Sequence, residues 1–441
     1  MKNIKKYLNN TFLYSKELLV VLLGQVSLVI SSIISLKILT TYLNPTQFGE
    51  LYLNITITVF LNQLIFGPLT NACVRYYSLS VKRNSFLGYF KSIKEISRNL
   101  VLYIIIFGVL TSVLLIYLDY KEWAIMIFIT ICYAIINGLN NLLNGIQTAA
   151  RSRIVVAISQ GSVVWIRLIF GIIIFVFTYQ ITSSILLGYL IGSLFVLIIQ
   201  LLFFSFTYKL ENKPSMNYVN SDRTWRKRIY NYALPFTYWG IFTWGLLASD
   251  KWALGYFSTI EDVGIYSAVY QLGFAPLLLI SGFLDQFISP IIYERVANKK
   301  DSNFNYENGF WNIIKLSFVF LFSMIIVSVF LEIFHMSFFS LFVSDAFIKV
   351  SYLLPFLWLA GSFFGAGQLM TLYIYAFKNS KVLVKLKISN AVFGILLNIS
   401  GAYFYGVSGI IIALLTTNIA YFISVIYVSY KVKLGYEINY L

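Results

Sequence analysis

Apolar and polar positions alternate along this chain on the scale of whole helices. Apolar runs of about 20 or more residues, each long enough for a helix across a bilayer, are separated by short polar segments. A membrane β-barrel would instead show segments of about ten residues with strict alternation. The runs therefore predict twelve transmembrane helices, at residues 18–43, 51–73, 99–118, 123–146, 155–178, 184–207, 233–257, 264–289, 310–331, 350–376, 383–404 and 407–430.

Composition supports a polytopic α-helical membrane protein. The mean hydropathy is +0.79, and only 11% of the residues are charged, against about 25% in soluble domains. The first run is too long for a signal peptide and lacks a small-residue cleavage site, so we interpret it as an uncleaved span. Cys73 and Cys132 lie in apolar segments, where we expect no disulfide. His335 is the single histidine, so we expect no metal site.

The distribution of positive charge predicts the orientation of the helices. Of the 33 Lys and Arg residues, 27 fall in the tails and in alternate loops of the predicted topology, and two fall in the other loops. Cytoplasmic loops carry such an excess of Lys and Arg. We therefore predict that both termini are cytoplasmic. The net charge of +16 is then explained by topology, and we expect no nucleic-acid partner.

Two halves of the chain have related turns. The segment YLNPTQFGELY after the first span and the segment YFSTIEDVGIY after the seventh share an aromatic end, a polar turn and a glycine opening the next helix. The two segments differ by a one-residue indel, and the glycines, Gly49 and Gly264, are 215 residues apart. Two repeats of equal orientation imply a pseudo-two-fold axis along the membrane normal. We predict an N-terminal lobe at 1–207, a basic cytoplasmic linker at 208–232 and a C-terminal lobe at 233–441.

Four cations are candidates for a substrate-binding interior. Lys37, Arg167 and Lys251 lie within predicted spans, and Arg75 lies at a cytoplasmic helix end. Charges inside membrane helices are costly and usually face a protein interior or a water-filled cavity. Snorkelling of Lys37 to the surface and the positive-inside rule for Arg75 explain these two residues equally well. Together, the four predict a cationic interior suited to a phosphate or an acidic sugar.

Acidic and amide side chains complete the set of candidates. Asp250 and Asp285 lie within predicted spans, where either could bind a proton or sodium ion that couples transport to a gradient. Asp250 and Lys251 could instead neutralise each other as a structural pair. Asn141 and Asn144 belong to a polar face of the fourth span and are candidates for substrate binding. Hydrogen bonding between helices is the structural alternative for such amides.

Motifs of several enzyme classes are missing from the sequence. It has no Walker loop, no metalloprotease motif, no nucleophile elbow and no Cys/His cluster. We therefore expect no catalytic residues, no bound cofactor and no enzymatic activity. Any energy for transport would come from a proton or sodium gradient.

The chain resembles the Wzx-type flippases of the multidrug/oligosaccharidyl-lipid/polysaccharide (MOP) exporter superfamily over essentially its whole length. The resemblance lies in YLNPTQFGELY, in the stretch from Gly67-Pro68 to Arg75-Tyr76, and in SDKWALGYF with VGIYSAVYQL. It implies an all-α fold of twelve helices in two six-helix lobes, similar to that of multidrug exporters of the superfamily.

The resemblance also implies a function. A flippase of this type would carry an undecaprenyl-pyrophosphate-linked oligosaccharide from the cytoplasmic to the outer face of the bacterial plasma (inner) membrane. The product would serve the synthesis of O-antigen, and thus lipopolysaccharide, or of capsular polysaccharide. Two lobes would alternate about a central cationic cavity, with the polyprenyl tail in membrane lipid. Polysaccharide polymerases and chain-length proteins are the candidate protein partners.

Two other functions stay open at this stage. An ion-coupled exporter of small molecules, such as a drug exporter of the same superfamily, would prefer an acidic interior for cationic substrates. Here cations outnumber acids within the predicted spans. A membrane glycan polymerase would carry a large outer loop with basic residues. The predicted outer loops are short, and their only basic residues are Lys121 and Lys349.

Overall fold

The structure is a computed structural model, and it describes residues 26–211, 222–297, 306–376 and 380–434, together with 20, 23 and 24. Every regular element in these ranges is helical, which confirms the all-α class. The whole predicted N-terminal cytoplasmic tail and residues 212–221 of the predicted linker lie outside the described residues.

Thirteen helices are named here in chain order within the described residues. They are α1 (Val26–Tyr42), α2 (Pro45–Leu61), α3 (Gly67–Lys82), α4 (Phe86–Tyr117), α5 (Lys121–Ala149), α6 (Arg153–Phe177), α7 (Thr182–Glu211), α8 (Asp222–Phe257), α9 (Ile260–Gly273), α10 (Ala275–Ala297), α11 (Tyr306–Phe342), α12 (Leu354–Ala376) and α13 (Ser380–Lys433). A π-helical turn, Asn62–Phe66, connects α2 to α3, and a 3-10 segment, Asp345–Leu353, precedes α12.

The described residues form two compact units. The first contains those up to Ser35 and those of Leu53–Trp244, and the second contains those of Leu36–Tyr52 and Gly245–Leu441. The second unit has a continuous apolar core contributed by α10 to α13. The first has one apolar cluster around Tyr89 and Trp225 and another around Phe66 and Ile131. The predicted lobe boundaries at 207 and 233 stay a prediction.

Nine helical segments of the described chain are long and apolar enough to cross a membrane, and α1 is a shorter apolar helix. One of the nine, Val382–Lys433, bends sharply at Gly406, which has φ 57° and ψ −132°. Residues with a side chain rarely adopt a positive φ, so glycine permits this turn. The turn falls in the predicted gap between residues 404 and 407. This arrangement is consistent with the twelve predicted spans, whose number stays a prediction.

Several helices extend well beyond the apolar runs that predicted them. Helix α4 begins at Phe86 rather than near residue 99, and α11 continues to Phe342 rather than ending near residue 331. Apolar length reports only the part inside hydrocarbon. Outside it, the first turns of α4 stay helical because one face is buried, with Tyr89, Ile93 and Ile96 in the cluster that also holds Trp225.

The second predicted span is interrupted rather than straight. Its π-helical turn, Asn62–Phe66, ends at Gly67, whose N–H donates to the carbonyl of Asn62, and Pro68 follows. A proline ring clashes with the carbonyl four residues before it, and one wide turn removes that clash without ending the helix. Phe66 then packs so closely on Gly138 of α5 that a Cβ there would overlap its ring.

The two turns that suggested a repeat contact each other within the second unit. A Cβ on Gly49 would overlap the carbonyl oxygen of Ile260, and a Cβ on Gly264 would overlap that of Pro45. Each of these two Cβ atoms would also lie 2.9 Å from the backbone nitrogen of the other glycine. The contact is reciprocal between positions 215 residues apart, as a local two-fold relation requires.

The helix caps follow the same register. Asn44 Oδ1 accepts from the Gln47 N–H (2.8 Å) at the start of α2, and Thr259 Oγ1 accepts from the Asp262 N–H (3.1 Å) at the start of α9. Both are side-chain N-caps, which satisfy backbone donors of a first helical turn. Because caps and glycines all match at an offset of 215, no indel is needed between the two turns.

Candidate functional site

Arg167 is held in the first unit by contacts with two neighbouring helices, α5 and α7. It lies on α6, and its Nε donates to Ser193 Oγ of α7 at 2.7 Å. Its Nη2 donates to Asn137 Oδ1 of α5 at 2.6 Å, and the guanidinium carbon lies 5.1 Å from the centre of the Tyr133 ring. Helix α7 comes close because Gly192 faces α6, where a Cβ would lie 3.1 Å from the Arg167 Cα.

All of these partners are neutral. No carboxylate of the described residues lies within ion-pairing distance of Arg167. A guanidinium has five N–H donors in a planar fork, and the described residues accept from two of them. A permanent charge inside a candidate membrane span needs an anion or water. The remaining donors suit water or an anionic group such as a phosphate, and the binding of a substrate anion here stays a prediction.

The face of α5 beside Arg167 is polar over several turns. Tyr133, Asn137 and Asn141 follow one another at intervals of four residues, which places them on one side of the helix. Asn141 is exposed, and its Nδ2 donates to Asn62 Oδ1 of the π-helical turn at 3.1 Å. Asn144 is buried, and its Oδ1 has no hydrogen-bond partner among the described residues. We call Tyr133, Asn137, Asn141, Arg167 and Ser193 the Arg167 cluster.

The Asp250–Lys251 pair of α8 is buried in the second unit, with 2% and 5% exposure. Lys251 Nζ lies 3.1 Å from Asp250 Oδ2, and the Tyr266 hydroxyl of α9 donates to the same oxygen at 2.5 Å. The ammonium also lies 4.3 Å from the centre of the Tyr270 ring. Both charges are thus compensated locally, as in the structural alternative. Their roles in substrate binding and ion coupling stay predictions.

Lys37 caps a helix in the second unit. Its Nζ donates to the backbone carbonyls of Ser340 (2.7 Å) and Val343 (2.8 Å) at the C-terminal end of α11. The last carbonyls of a helix lack partners within the helix, and they carry its negative dipole end. This contact gives the Lys37 charge a structural reason. Arg75, by contrast, is exposed on α3.

Asp285 lies half-buried on α10, and it interacts electrostatically with Lys387 of α13. Tyr421, also on α13, donates to Gln368 Oε1 of α12 at 3.4 Å. Its hydroxyl also interacts electrostatically with the Asp285 carboxyl group. Lys387 was not among the predicted candidates, although it lies inside the predicted span 383–404. Its place inside an apolar run was the signal that could have found it.

The structure divides the predicted site residues between the two units. Arg75, Asn141, Asn144 and Arg167 belong to the first, and Lys37, Asp250, Lys251 and Asp285 belong to the second. Within the first unit, Arg167 of α6 lies beside the polar face of α5 that carries Asn137 and Asn141. Tyr133 and Ser193 were missed, since only the fold brings α7 next to α6. A single interior that collects all four cations stays a prediction.

Comparisons with known proteins agree with this fold. A family model described as "Polysaccharide biosynthesis protein" matches residues 15–296. No curated protein sequence matches the chain significantly. Among solved structures, the lipid II flippase MurJ in an inward closed conformation aligns with a TM-score of 0.70 at 16% identity, covering 95% of this chain and 90% of that chain.

Two transporters of the MOP superfamily are also similar. A multidrug resistance MATE family transporter in an inward-facing conformation gives a TM-score of 0.63 at 14% identity, covering 93% of this chain and 95% of that one. A transporter from Pyrococcus furiosus gives 0.57 at 13% identity, covering 93% and 96%. These similarities establish the fold of a multi-pass membrane protein, and the family model covers more than half of the chain. The chain therefore belongs to the polysaccharide biosynthesis protein family and has the fold of the MOP superfamily.

Proposed function

We propose that this protein is a flippase for a lipid-linked oligosaccharide. Its substrate is an undecaprenyl-pyrophosphate-linked repeat unit, which it moves from the cytoplasmic to the outer face of the bacterial plasma membrane by alternating access. A polymerase on the outer face then incorporates the repeat unit into O-antigen or capsular polysaccharide. Both termini lie in the cytoplasm, as the distribution of Lys and Arg predicts. The family and the fold support this class of function.

The Arg167 cluster is the observation that carries the proposal. A pyrophosphate in hydrocarbon would lose its hydration, and a guanidinium fork restores charge pairing and paired hydrogen bonds together. Arg167 is already oriented by Ser193 and Asn137, so little ordering is needed when an anion arrives. Asn141 lies one helical turn after Asn137 on α5, and its exposed amide is suited to hydrogen bonds with the hydroxyl groups of a sugar. A cationic drug would meet repulsion from Arg167 at the same place.

Arg167→Ala is expected to abolish flipping in cells. Truncating one partner of a hydrogen-bonded charge pair costs about 2–5 kcal/mol, which corresponds to a loss of at least roughly 30-fold. In a strain lacking the gene, lipid-linked repeat units should accumulate on the cytoplasmic face. Wild type should relieve that accumulation and Arg167→Ala should not, at equal protein level.

Arg153→Ala is the matched control for this experiment. Arg153 is an exposed arginine at the first position of the same helix, so its loss should leave flipping intact. Arg167→Lys keeps the charge without the fork and should retain part of the activity. Full activity of Arg167→Ala would remove the proposed site, and equal losses in both alanine variants would remove its specificity.

Ion coupling, in this proposal, is a function of Asp285. Asp250 is already compensated by Lys251 and Tyr266, whereas Asp285 is half-buried and interacts with Lys387.

Asp285→Asn should therefore lower flipping driven by a proton or sodium gradient by about tenfold, within the usual range of coupling energies. Exchange without a gradient should persist. Gradient-driven flipping is the measurement, with exposed Glu332→Gln as the control. An unchanged gradient response would remove Asp285 from this role.

A further inference from the structure

Helix α4 carries a row of cations on the face that points away from the protein. Lys91, Lys94 and Arg98 are exposed, and their spacing of three and four residues places them on one side of the helix. Tyr89, Ile93 and Ile96 lie on the opposite side and are buried in the apolar cluster with Trp225. The row is therefore fixed in orientation by the packing of the other face.

The same face continues into the apolar part of the helix. At the same three- and four-residue spacing after Arg98, the side chains are again exposed, and all of them are apolar: Leu102, Ile105, Val109, Val113 and Ile116. Only 11% of the most apolar window of α4 is buried, the lowest share among the nine candidate spans of the described chain. An exposed apolar helix face of this length is covered by lipid chains in a membrane.

The depth of the cations follows from helix geometry. Leu100 begins the uninterrupted apolar run, and a helix rises about 1.5 Å per residue. Arg98 and Lys94 thus lie about 3 Å and about 9 Å before it, near the headgroup layer, which is about 5–8 Å deep on each side of the bilayer. Lys91 lies further out, and its flexible side chain can extend back toward the same layer.

Lys94 and Arg98, the two cations nearest the apolar run, form no salt bridge with a carboxylate among the described residues. Glu95 is half-buried and forms a salt bridge of 3.2 Å with Arg226 of α8. That bridge pairs the Glu95 carboxylate with a cation of another helix, so the pair adds no net negative charge to the face. The face therefore presents positive charge at headgroup depth beside a surface that lipid chains cover.

We propose that this face of α4, from Lys91 to Ile116, is a binding site for an anionic membrane lipid. The lipid phosphate binds Lys94 and Arg98, with Lys91 at the rim, and its acyl chains lie along the row from Leu102 to Ile116. The continuity of the cationic and lipid-covered surfaces favours a bilayer lipid as the occupant over a soluble anion. The site is distinct from the Arg167 cluster, and it does not require the proposed flipping activity.

Native mass spectrometry of the purified protein with added phosphatidylglycerol or phosphatidylethanolamine tests the site. Each Lys or Arg near anionic lipid contributes roughly fivefold in affinity. Lys94→Gln/Arg98→Gln should therefore weaken phosphatidylglycerol binding by roughly 25-fold, with little change for the zwitterionic lipid. Lys94→Arg/Arg98→Lys should bind as wild type does.

The control variant is Lys121→Gln/Lys349→Gln, which removes two exposed cations elsewhere and should leave binding unchanged. Equal weakening by this control would overturn the proposal, because binding would then follow net charge alone. Unchanged binding by Lys94→Gln/Arg98→Gln would overturn it as well. Undecaprenyl phosphate forms a third arm: if the double variant loses that lipid and retains phosphatidylglycerol, the face serves the polyprenyl substrate and the bilayer-lipid site is refuted.

Discussion

Gly264→Ala is expected to destabilise the protein severely, although it adds a single methyl group. The new Cβ would overlap the Pro45 carbonyl oxygen and would lie 2.9 Å from the Gly49 backbone nitrogen. Both neighbours are backbone atoms of capped helix ends, so no side chain can move aside. Overpacking in ordinary cores costs about 1–3 kcal/mol, and we expect about 3 kcal/mol or more here. Thermal unfolding of the purified protein in detergent is the measurement.

Gly282→Ala provides a closely matched control. Gly282 lies on α10, and a Cβ there would meet nothing within 4 Å, so the unfolding temperature should not fall. Gly49→Ala should cost about as much as Gly264→Ala, since the contact is reciprocal. The double variant should cost less than the sum, because both methyl groups open the same contact. Equal stability of the Gly264 and Gly282 variants would contradict the close approach of the two turns.

Asp250→Ala is the second change with a large expected effect. It would leave the Lys251 ammonium buried without its carboxylate and the Tyr266 hydroxyl without its acceptor. Removing one partner of a buried ion pair costs about 3–5 kcal/mol. We therefore expect a strong fall in unfolding temperature or a failure to accumulate folded protein. Chemical unfolding in detergent measures this loss.

The double variant Asp250→Leu/Lys251→Met separates structure from function at this pair. Replacing a buried ion pair by apolar residues of similar size is often neutral or stabilising. Most of the stability should therefore return, less the cost of the Tyr266 hydroxyl, which still lacks its acceptor. If flipping returns with it, the pair is structural and Lys251 does not bind substrate. A double variant as unstable as Asp250→Ala would contradict the compensated pair.

Much of the fold could be predicted because apolar length reports membrane crossing directly. The turn at Gly406 falls where two apolar runs were separated by two residues. Helix ends could not be predicted in the same way, since the start of α4 depends on packing of Tyr89 and Ile93 against Trp225. The π-helical turn before Pro68 could not be predicted either. It relieves the clash of the proline ring, and its form depends on how the neighbouring helices pack.

The candidate site was less predictable than the fold. Arg167 stood out because a charge in an apolar run demands a reason, but its contact with Ser193 depends on how α7 packs against α6. Lys37 stood out for the same reason, and the structure pairs it with the end of α11 instead. Sequence therefore identifies which charges need explanation, and only the fold shows whether a protein group already provides it.

Transfer of a purified undecaprenyl-pyrophosphate-linked glycan across the membrane of liposomes that contain the reconstituted protein is the decisive test of flipping through the Arg167 cluster. Exposure of the glycan on the opposite leaflet, read by an added glycosidase, is the measured quantity. We expect transfer by wild type and by Arg153→Ala, and a loss of at least roughly 30-fold in Arg167→Ala. Wild-type transfer by Arg167→Ala, or no transfer by folded wild-type protein, would contradict it.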